Sequence, residues 1–191
     1  MAASGAARRR HEVVLVDLTG DVAVAVGVSS DLPGVADWVS AGELSLGAAT
    51  ALQIDLNDRV RLLPRGSGEL DPERLATLWS LLSGKPQVAI VDAGRGLEAV
   101  ALVDDDNVRR LLVVSTCYYA VYRAVRLIGR VDDMIVMADS MRSLTVADVE
   151  CGVGHGASAS LPVDPAIARW ADAGLLLDRS ARLSKPLDQL L

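Results

Sequence analysis

The chain has 191 residues, of which 51% are hydrophobic and 23% are charged, a composition typical of a folded globular protein rather than a disordered one. Its formal net charge of −6 argues against a broad nucleic-acid-binding surface. Two cysteines without metal-ligand spacing and only two histidines argue against a zinc site. No apolar stretch is long enough to span a membrane, and Met1–Arg10 lacks the apolar core of a signal peptide, so we expect a cytoplasmic protein.

The first part of the chain predicts two strands separated by short helices. Glu12–Leu18 is an apolar run typical of a buried strand, and Thr19-Gly20-Asp21 turns the chain after it. Val22–Val28, Val35–Val39 and Leu44–Leu52 are short segments with a helical pattern, and Arg59–Leu63 predicts a second strand. Asp71-Pro72 then begins a longer helix, because aspartate caps the first turn and proline at the first helical position needs no N–H partner.

The later part of the chain alternates strand-like runs with helical patterns. Tyr118–Ile128 predicts a helix with one apolar stripe, which is interpreted as core packing rather than a stacking platform. The stripe consists of Tyr118, Val121, Tyr122, Val125 and Ile128. Gly152-x-Gly154 lies between a helix and a strand, so it is interpreted as a loop rather than as a dinucleotide fingerprint, which must follow a strand and open a helix. The predicted strands are Val88–Asp92, Arg110–Ser115, Asp133–Ala138 and Ala157–Leu161.

Strands that alternate with helices predict an α/β fold with a mostly parallel, doubly wound sheet and helices on both faces. The sequence contains no phenylalanine, so the core is expected to consist of branched aliphatic residues and alanine. No linker is long enough to divide the chain, which predicts a single domain over residues 1–191.

Two of the predicted strands end in an aspartate. Asp17 closes the first strand and Asp92 closes the third. Because the carboxyl ends of parallel strands meet at one edge of a sheet, we expect both carboxylates at a shared ligand or magnesium site. Gly94 would allow a ligand to approach the backbone closely, and Arg65 and Arg95 lie in loops on the same expected edge. Each aspartate can instead serve as a turn or helix-capping residue, and this alternative stays open.

No lysine-bearing glycine loop accompanies these aspartates. A phosphate-binding loop has the pattern Gly-x-x-x-x-Gly-Lys-Ser/Thr, which the sequence does not contain. Gly84-Lys85 is followed by proline, and Trp79 stands where the first glycine of the pattern is required. The sequence therefore shows the acidic part of a nucleotide site without the part that holds the phosphates.

The order of five segments resembles the ParA/MinD group of P-loop ATPases, in particular its compact actinobacterial members. The resemblance covers nearly the whole chain from His11 onward. It rests on Val-Leu-Val-Asp17-Leu-Thr-Gly-Asp21, Pro33-Gly-Val-Ala-Asp-Trp-Val39, Leu62-Leu-Pro-Arg-Gly66, Val88-Ala-Ile-Val-Asp92 and Leu161-Pro-Val-Asp-Pro-Ala-Ile-Ala-Arg169.

This resemblance implies a P-loop NTPase-like fold in which the N-terminal strand and phosphate loop are missing here. Residues 1–10 match the end of the helix that follows that loop. The resemblance further implies ATP and Mg²⁺ as ligands, and a cytoplasmic role in chromosome partitioning or cell division. The implied partners are a second copy of the chain or a regulatory protein; we expect neither a specific nucleic acid nor a membrane as a partner.

The same resemblance assigns roles to individual residues. Asp17 matches the first switch I aspartate, a magnesium-shell and water-positioning residue, and Asp92 matches the Walker B aspartate, which holds magnesium through water. Gly94 lies in the small-residue pair after Asp92. Thr19 stands where the family has its second switch I aspartate. Whether this chain hydrolyses ATP stays open, because it lacks both the lysine loop and that second carboxylate.

Several functional hypotheses remain at this point. The chain is either an N-terminally truncated or a degenerate ParA/MinD-like switch protein, in which case ATP and Mg²⁺ or no cofactor at all would bind. Alternatively, it is a non-catalytic α/β interaction module that has lost nucleotide binding and exposes an apolar patch. A receiver-like domain with Asp92 as phosphoacceptor is disfavoured, because no lysine lies at a later strand end.

Overall fold

The computed structural model describes residues 12–95 and 108–179. Of these, residues 12–95 and 166–179 form one compact unit, and residues 108–165 form another. The predicted helix remnant at residues 1–10, the acidic run Asp104–Asp106 and the tail from Lys185 lie outside the described residues. Within the described ranges, every helix is too short or too polar to cross a membrane.

The strands are β1 (Val13–Asp17), β2 (Ile54–Asp55), β3 (Val60–Leu63), β4 (Val88–Asp92), β5 (Leu111–Ser115), β6 (Asp133–Ala138) and β7 (Ala159–Pro162). The helices are α1 (Asp21–Ala25), α2 (Val35–Ser40), α3 (Leu46–Ala51), α4 (Pro72–Ser83), α5 (Tyr118–Ala124), α6 (Val146–Val153), α7 (Pro165–Asp172) and α8 (Leu176–Arg179), with a 3₁₀ turn at Ile128–Arg130. The predicted α/β class with mostly parallel strands is confirmed. The short strand β2 was not predicted.

The first unit contains a four-stranded sheet in the order β2-β3-β1-β4. β1 pairs in parallel with β3 on one side and β4 on the other, and β2 is antiparallel to β3. β1 is apolar on both faces because it lies between two strands under helices, and Val13, Val14 and Val16 are at most 1% exposed. β1 is therefore an interior strand of the sheet in the first unit.

The helices of the first unit cover one face of this sheet with an aliphatic core around one tryptophan. Trp38 of α2 is buried, and its indole N–H donates to the Ser45 carbonyl at 2.9 Å, which satisfies its polar atom. Asp71 accepts from the Glu73 N–H at 2.9 Å, so the predicted cap of α4 is confirmed. The buried core cluster contains Val14, Val16, Leu18, Val35, Trp38, Val39, Ala49, Leu63, Leu75, Leu78 and Leu82.

The second unit contains a three-stranded parallel sheet in the order β5-β6-β7. Its core joins Val114 and Val136 of the sheet to Val149 of α6 and Ala124 of α5. Gly154 ends α6 in the left-handed conformation at φ 73°, which confirms that it belongs to the loop between a helix and a strand.

The prediction that the stripe of the helix after β5 packs in the core is confirmed for Val121 and Ile128 and wrong for its other members. Tyr118 is 79% exposed, Tyr122 is 49% exposed and Val125 is 51% exposed. Ala120 and Ala124 pack in the core cluster with Val121, because small side chains let the helix approach the sheet closely without burying a phenolic hydroxyl. The regular helix also ends at Ala124, before the predicted end of the stripe at Ile128.

β4 and β5 are edge strands of their respective sheets among the described strands. In β4, the Val88 N–H and the Asp92 carbonyl bond to the β1 side, so the intervening Ala89 and Val91 direct their backbone groups away from β1. In β5, the outward-facing Val113 is 59% exposed. Neither edge carries the lysine, proline or bulge that usually protects an open edge.

At two glycines, the backbone just after α1 contacts the backbone between α7 and α8. Gly27 and Gly174 both have positive φ, at 79° and 68°. A Cβ on Gly174 would lie 2.6 Å from the Gly27 Cα, and a Cβ on Gly27 would lie 2.8 Å from the Gly174 carbonyl oxygen. The two backbones therefore touch at a distance that only glycine permits.

We expect Gly174→Ala to reduce the free energy of unfolding by about 2 kcal/mol, because a methyl group there collides with backbone and the residue must keep a positive φ. Urea denaturation followed by circular dichroism measures the change. Gly42→Ala is the control, because Gly42 has open space around it, and this variant should remain close to wild type. Equal stabilities for the two variants would contradict the prediction.

Candidate functional site

The turn after β1 is organised by a single buried carboxylate. Asp17 is fully buried. Its Oδ1 accepts from the Thr19 N–H at 2.9 Å and the Gly20 N–H at 2.7 Å, and its Oδ2 accepts from the Ala23 N–H at 3.0 Å. Gly20 at φ 90° bends the chain so that α1 begins directly above this carboxylate. Asp17 therefore satisfies backbone donors of the turn and of the first turn of α1.

The structure brings the two predicted site aspartates together. Asp17 and Asp92 are register partners at the carboxyl ends of the adjacent parallel strands β1 and β4. The Thr19 hydroxyl oxygen lies 3.0 Å from Asp17 Oδ1 and 3.2 Å from Asp92 Oδ2. Because a hydroxyl has one hydrogen, it donates to only one of these carboxylates at a time.

Thr19 is the site residue that sequence reasoning missed. It was noted only as standing in place of a carboxylate. In the structure its hydroxyl lies within hydrogen-bonding distance of both aspartates and also accepts from the Asp21 N–H at 3.1 Å. The signal was present in the spacing Asp17-x-Thr19, which is typical of a side chain–backbone turn two residues long.

Asp92 is held less completely than Asp17. Its Oδ1 accepts from the Gly94 N–H at 3.0 Å, and its Oδ2 lies within reach of the Thr19 hydroxyl. Gly94 has φ 67°, and a Cβ added there would lie 2.6 Å from Thr19 Cγ2. Thr19 therefore packs closely against Gly94, and the approach of a ligand to the Gly94 backbone stays a prediction.

Arg65 also lies beside this turn, as expected from its position after β3. A Cβ on Gly20 would lie 3.7 Å from Arg65 Cδ, and Arg65 Nη1 donates to the Gly66 carbonyl at 3.2 Å. The Ala36 N–H at the start of α2 donates to the Arg65 carbonyl at 2.8 Å and holds the backbone of this loop. Arg95 follows Gly94 on the neighbouring loop.

The Asp37 side chain of α2 forms hydrogen bonds to the loop that contains Arg65 and Ser67. Its carboxylate accepts from the Gly34 N–H at 2.8 Å and from the Ser67 N–H at 3.3 Å. The hydrogen bond from Gly34 is the main cause that lowers the pKa of the Asp37 carboxyl below its usual value. Gly66, at φ 74°, lies directly against this carboxylate.

A further group of hydrogen-bonded polar side chains lies in the second unit. Ser158 donates to Asp133 at 2.6 Å, and the hydrogen bond from Arg109 is the main cause that lowers the pKa of Asp133. Within residues 12–95 and 108–179, no three His, Cys, Asp or Glu side chains lie close enough together to hold a metal ion. A surface hollow of about 290 Å³, which includes Glu12 and Asp55 in its lining, does not include Asp17 or Asp92.

Comparison with solved structures places this geometry in a known fold. The crystal structure of a ParA family ATPase from Chlorobium tepidum TLS is similar over 99% of this chain and 90% of that chain, with a TM-score of 0.77 and 18% identity. The MinC:MinD cell division protein complex of Aquifex aeolicus is similar over 98% of this chain and 84% of that chain, with a TM-score of 0.75 and 17% identity.

The chain has the ParA/MinD fold. The MinD cell division protein of Aquifex aeolicus gives a further match, over 98% of this chain and 86% of that chain, with a TM-score of 0.74 and 18% identity. No protein-family model matches the chain, and no curated protein sequence matches it. The likeness to the ParA/MinD fold is therefore one of structure, and the predicted P-loop NTPase-like architecture is confirmed at that level.

Proposed function

We propose that the protein is a ParA/MinD-like switch protein of chromosome partitioning or cell division whose nucleotide machinery is incomplete in this chain. The observation that carries the proposal is the pair of strand-end carboxylates, Asp17 and Asp92, which are in register on adjacent parallel strands and both within hydrogen-bonding distance of the Thr19 hydroxyl. Ligands of parallel α/β sheets bind at this carboxyl edge. The ParA/MinD fold of the chain supports the same assignment.

The residues of this edge fit a hydrated magnesium ion unequally. The Asp17 carboxylate already accepts hydrogen bonds from three backbone N–H groups. It therefore fits the role of positioning Thr19 and the turn rather than that of a direct ligand of the ion. Asp92 retains acceptor capacity on both oxygens and is only partly buried, which fits contact with the water shell of the ion. We place Gly94 at the site through its N–H contact to Asp92. When bound, magnesium would neutralise phosphate charge.

The same edge does not fit a tightly held triphosphate. No lysine-bearing glycine loop is present among the 191 residues, and the N-terminus of α1 is already used by the Asp17 carboxylate. A phosphate group there would lie against an acidic side chain. A catalytic role for Asp17 stays a prediction, and we expect this chain to bind ATP weakly or not at all.

Calorimetric titration with Mg²⁺–ATP tests the nucleotide part of the proposal. We expect no saturable binding tighter than a Kd of about 1 mM, because the contacts that hold the β- and γ-phosphates in P-loop proteins are missing. Saturable binding in the low micromolar range would show that another part of the chain holds the phosphates and would overturn the proposal of an incomplete site.

Titration with Mn²⁺ as a stand-in for Mg²⁺, followed by electron paramagnetic resonance, tests the metal part separately. We expect weak binding that Asp92→Asn reduces roughly fivefold or more, because a carboxylate is the main charge available to the ion. Asp139→Asn is the matched control, since Asp139 is also a partly exposed carboxylate directly after a strand. Equal effects of the two variants would remove Asp92 from the proposed site.

The second candidate function is a non-catalytic interaction module that keeps this fold. A specific observation favours it: three tyrosines of α5 face solvent instead of filling the core. Such a module would act through a surface in the second unit and would need no nucleotide.

A further inference from the structure

Helix α5 exposes a face of unusual composition. Tyr118 is 79% exposed, Tyr119 66%, Tyr122 49% and Val125 51%. The three tyrosines are all the tyrosines of the chain, in which aromatic residues make up only 3%. We call Tyr118, Tyr119, Tyr122 and Val125, together with Arg123 and Arg126, the aromatic face. Aromatic residues and arginine are the types enriched where protein interfaces gain most of their energy.

The charge of this face is opposite to that of the whole protein. Between Ser115 and Val131 the chain carries three arginines and no acidic residue, whereas its formal net charge is −6. A locally basic surface on an acidic protein attracts an acidic partner while the remainder of the surface repels it, which restricts the orientation of binding.

The arginines and tyrosines of the face order one another. The Arg126 guanidinium lies 4.8 Å from the centroid of the Tyr122 ring and donates to the Tyr122 hydroxyl. The Arg123 guanidinium lies 5.9 Å from the centroid of the Tyr119 ring. Such stacking reduces the freedom of long side chains before any partner binds, so less conformational entropy is lost on association.

We propose that the aromatic face is a docking surface for an acidic protein segment that carries aliphatic anchor residues. Carboxylates of the segment would pair with Arg123 and Arg126, and its aliphatic side chains would pack on Tyr118 and Val125. This surface lies within the second unit and does not depend on the Asp17–Asp92 site, so either proposal can fail without the other.

A protein segment is favoured over nucleic acid. Stacking of bases requires open aromatic faces, and the guanidinium of Arg126 lies over the ring of Tyr122. Three arginines also supply few phosphate contacts on a chain of net charge −6. The Tyr118 and Val125 side chains instead offer the apolar surface that aliphatic anchors need.

The test uses the full chain and a fluorescein-labelled peptide of repeating glutamate and leucine, measured by fluorescence anisotropy. We expect saturable binding that weakens roughly tenfold when the salt rises from about 50 mM to about 300 mM, because exposed charge pairs are screened. The double variants Arg123→Glu/Arg126→Glu and Tyr118→Ser/Tyr122→Ser should each lose roughly tenfold or more in affinity. Tyr118, Tyr122 and Arg126 are exposed and Arg123 is partly exposed, so melting temperatures should stay near wild type.

Two control variants in the same unit separate the face from general surface effects. Arg142→Glu makes the same kind of substitution at a single arginine in the loop after β6, and Met141→Ser removes a side chain that is 89% exposed; both should bind like wild type. Absent peptide binding, or equal losses in controls and test variants, would overturn the proposal. So would stronger binding of a single-stranded oligonucleotide, which would indicate nucleic acid, or a peptide-independent dimer abolished by the same variants, which would indicate a second copy.

Discussion

Replacing Asp17 by alanine is expected to lower the free energy of unfolding by about 3 kcal/mol, because three backbone N–H groups lose their acceptor together. The N–H groups of Thr19, Gly20 and Ala23 would face a cavity rather than water, since the position is fully buried. Chemical denaturation measured by tryptophan fluorescence gives the change, because Trp38 belongs to the same core.

Asp17→Asn separates hydrogen bonding from volume. An asparagine retains one carbonyl oxygen for Thr19 and Gly20, while its amide nitrogen cannot accept from Ala23. We therefore expect roughly half the loss seen with alanine. An Asp17→Ala variant as stable as wild type would show that the turn after β1 does not rely on this carboxylate, and would leave Asp17 available as a direct metal ligand.

Gly66→Ala is expected to cost about 3 kcal/mol, from two causes that act together. Gly66 has φ 74°, which is unfavourable for any residue with a Cβ, and the new methyl group would lie 2.1 Å from Asp37 Oδ2. Displacing Asp37 also removes the carboxylate that accepts from the Gly34 N–H. Thermal unfolding followed by circular dichroism measures the loss.

Gly154→Ala provides the matched control for this variant. Gly154 has nearly the same φ, 73°, but no atom lies within 4 Å of the Cβ position. It should lose only the conformational part, about 1 kcal/mol. If both alanine variants lost the same amount, the packing of Gly66 against Asp37 would contribute nothing to stability.

The sequence was sufficient to predict the parallel strands and the meeting of their acidic ends. Val88–Asp92 and Asp133–Ala138 were predicted with the bounds that the structure shows, because continuous aliphatic runs bounded by turns have few alternatives. The pairing of Asp17 with Asp92 followed from the rule that parallel strands present their carboxyl ends together.

The sequence did not predict what the Asp17 carboxylate binds. Its hydrogen bonds depend on the left-handed Gly20 and on where α1 begins, which a strand-end aspartate alone does not specify. The burial of the tyrosines of α5 was also mispredicted. A helical stripe of tyrosines and a stripe of small residues have the same period, and only packing decides which one faces the sheet.

The open edges of β4 and β5 have a consequence for the behaviour of the purified protein. Ala89, Val91 and Val113 present backbone and aliphatic groups without a protecting charge. At high concentration, such edges act as templates on which strands of neighbouring molecules add, and the product of repeated addition is an insoluble aggregate. Because β4 and β5 are edge strands of their sheets, we expect aggregation of the purified chain to increase with its concentration.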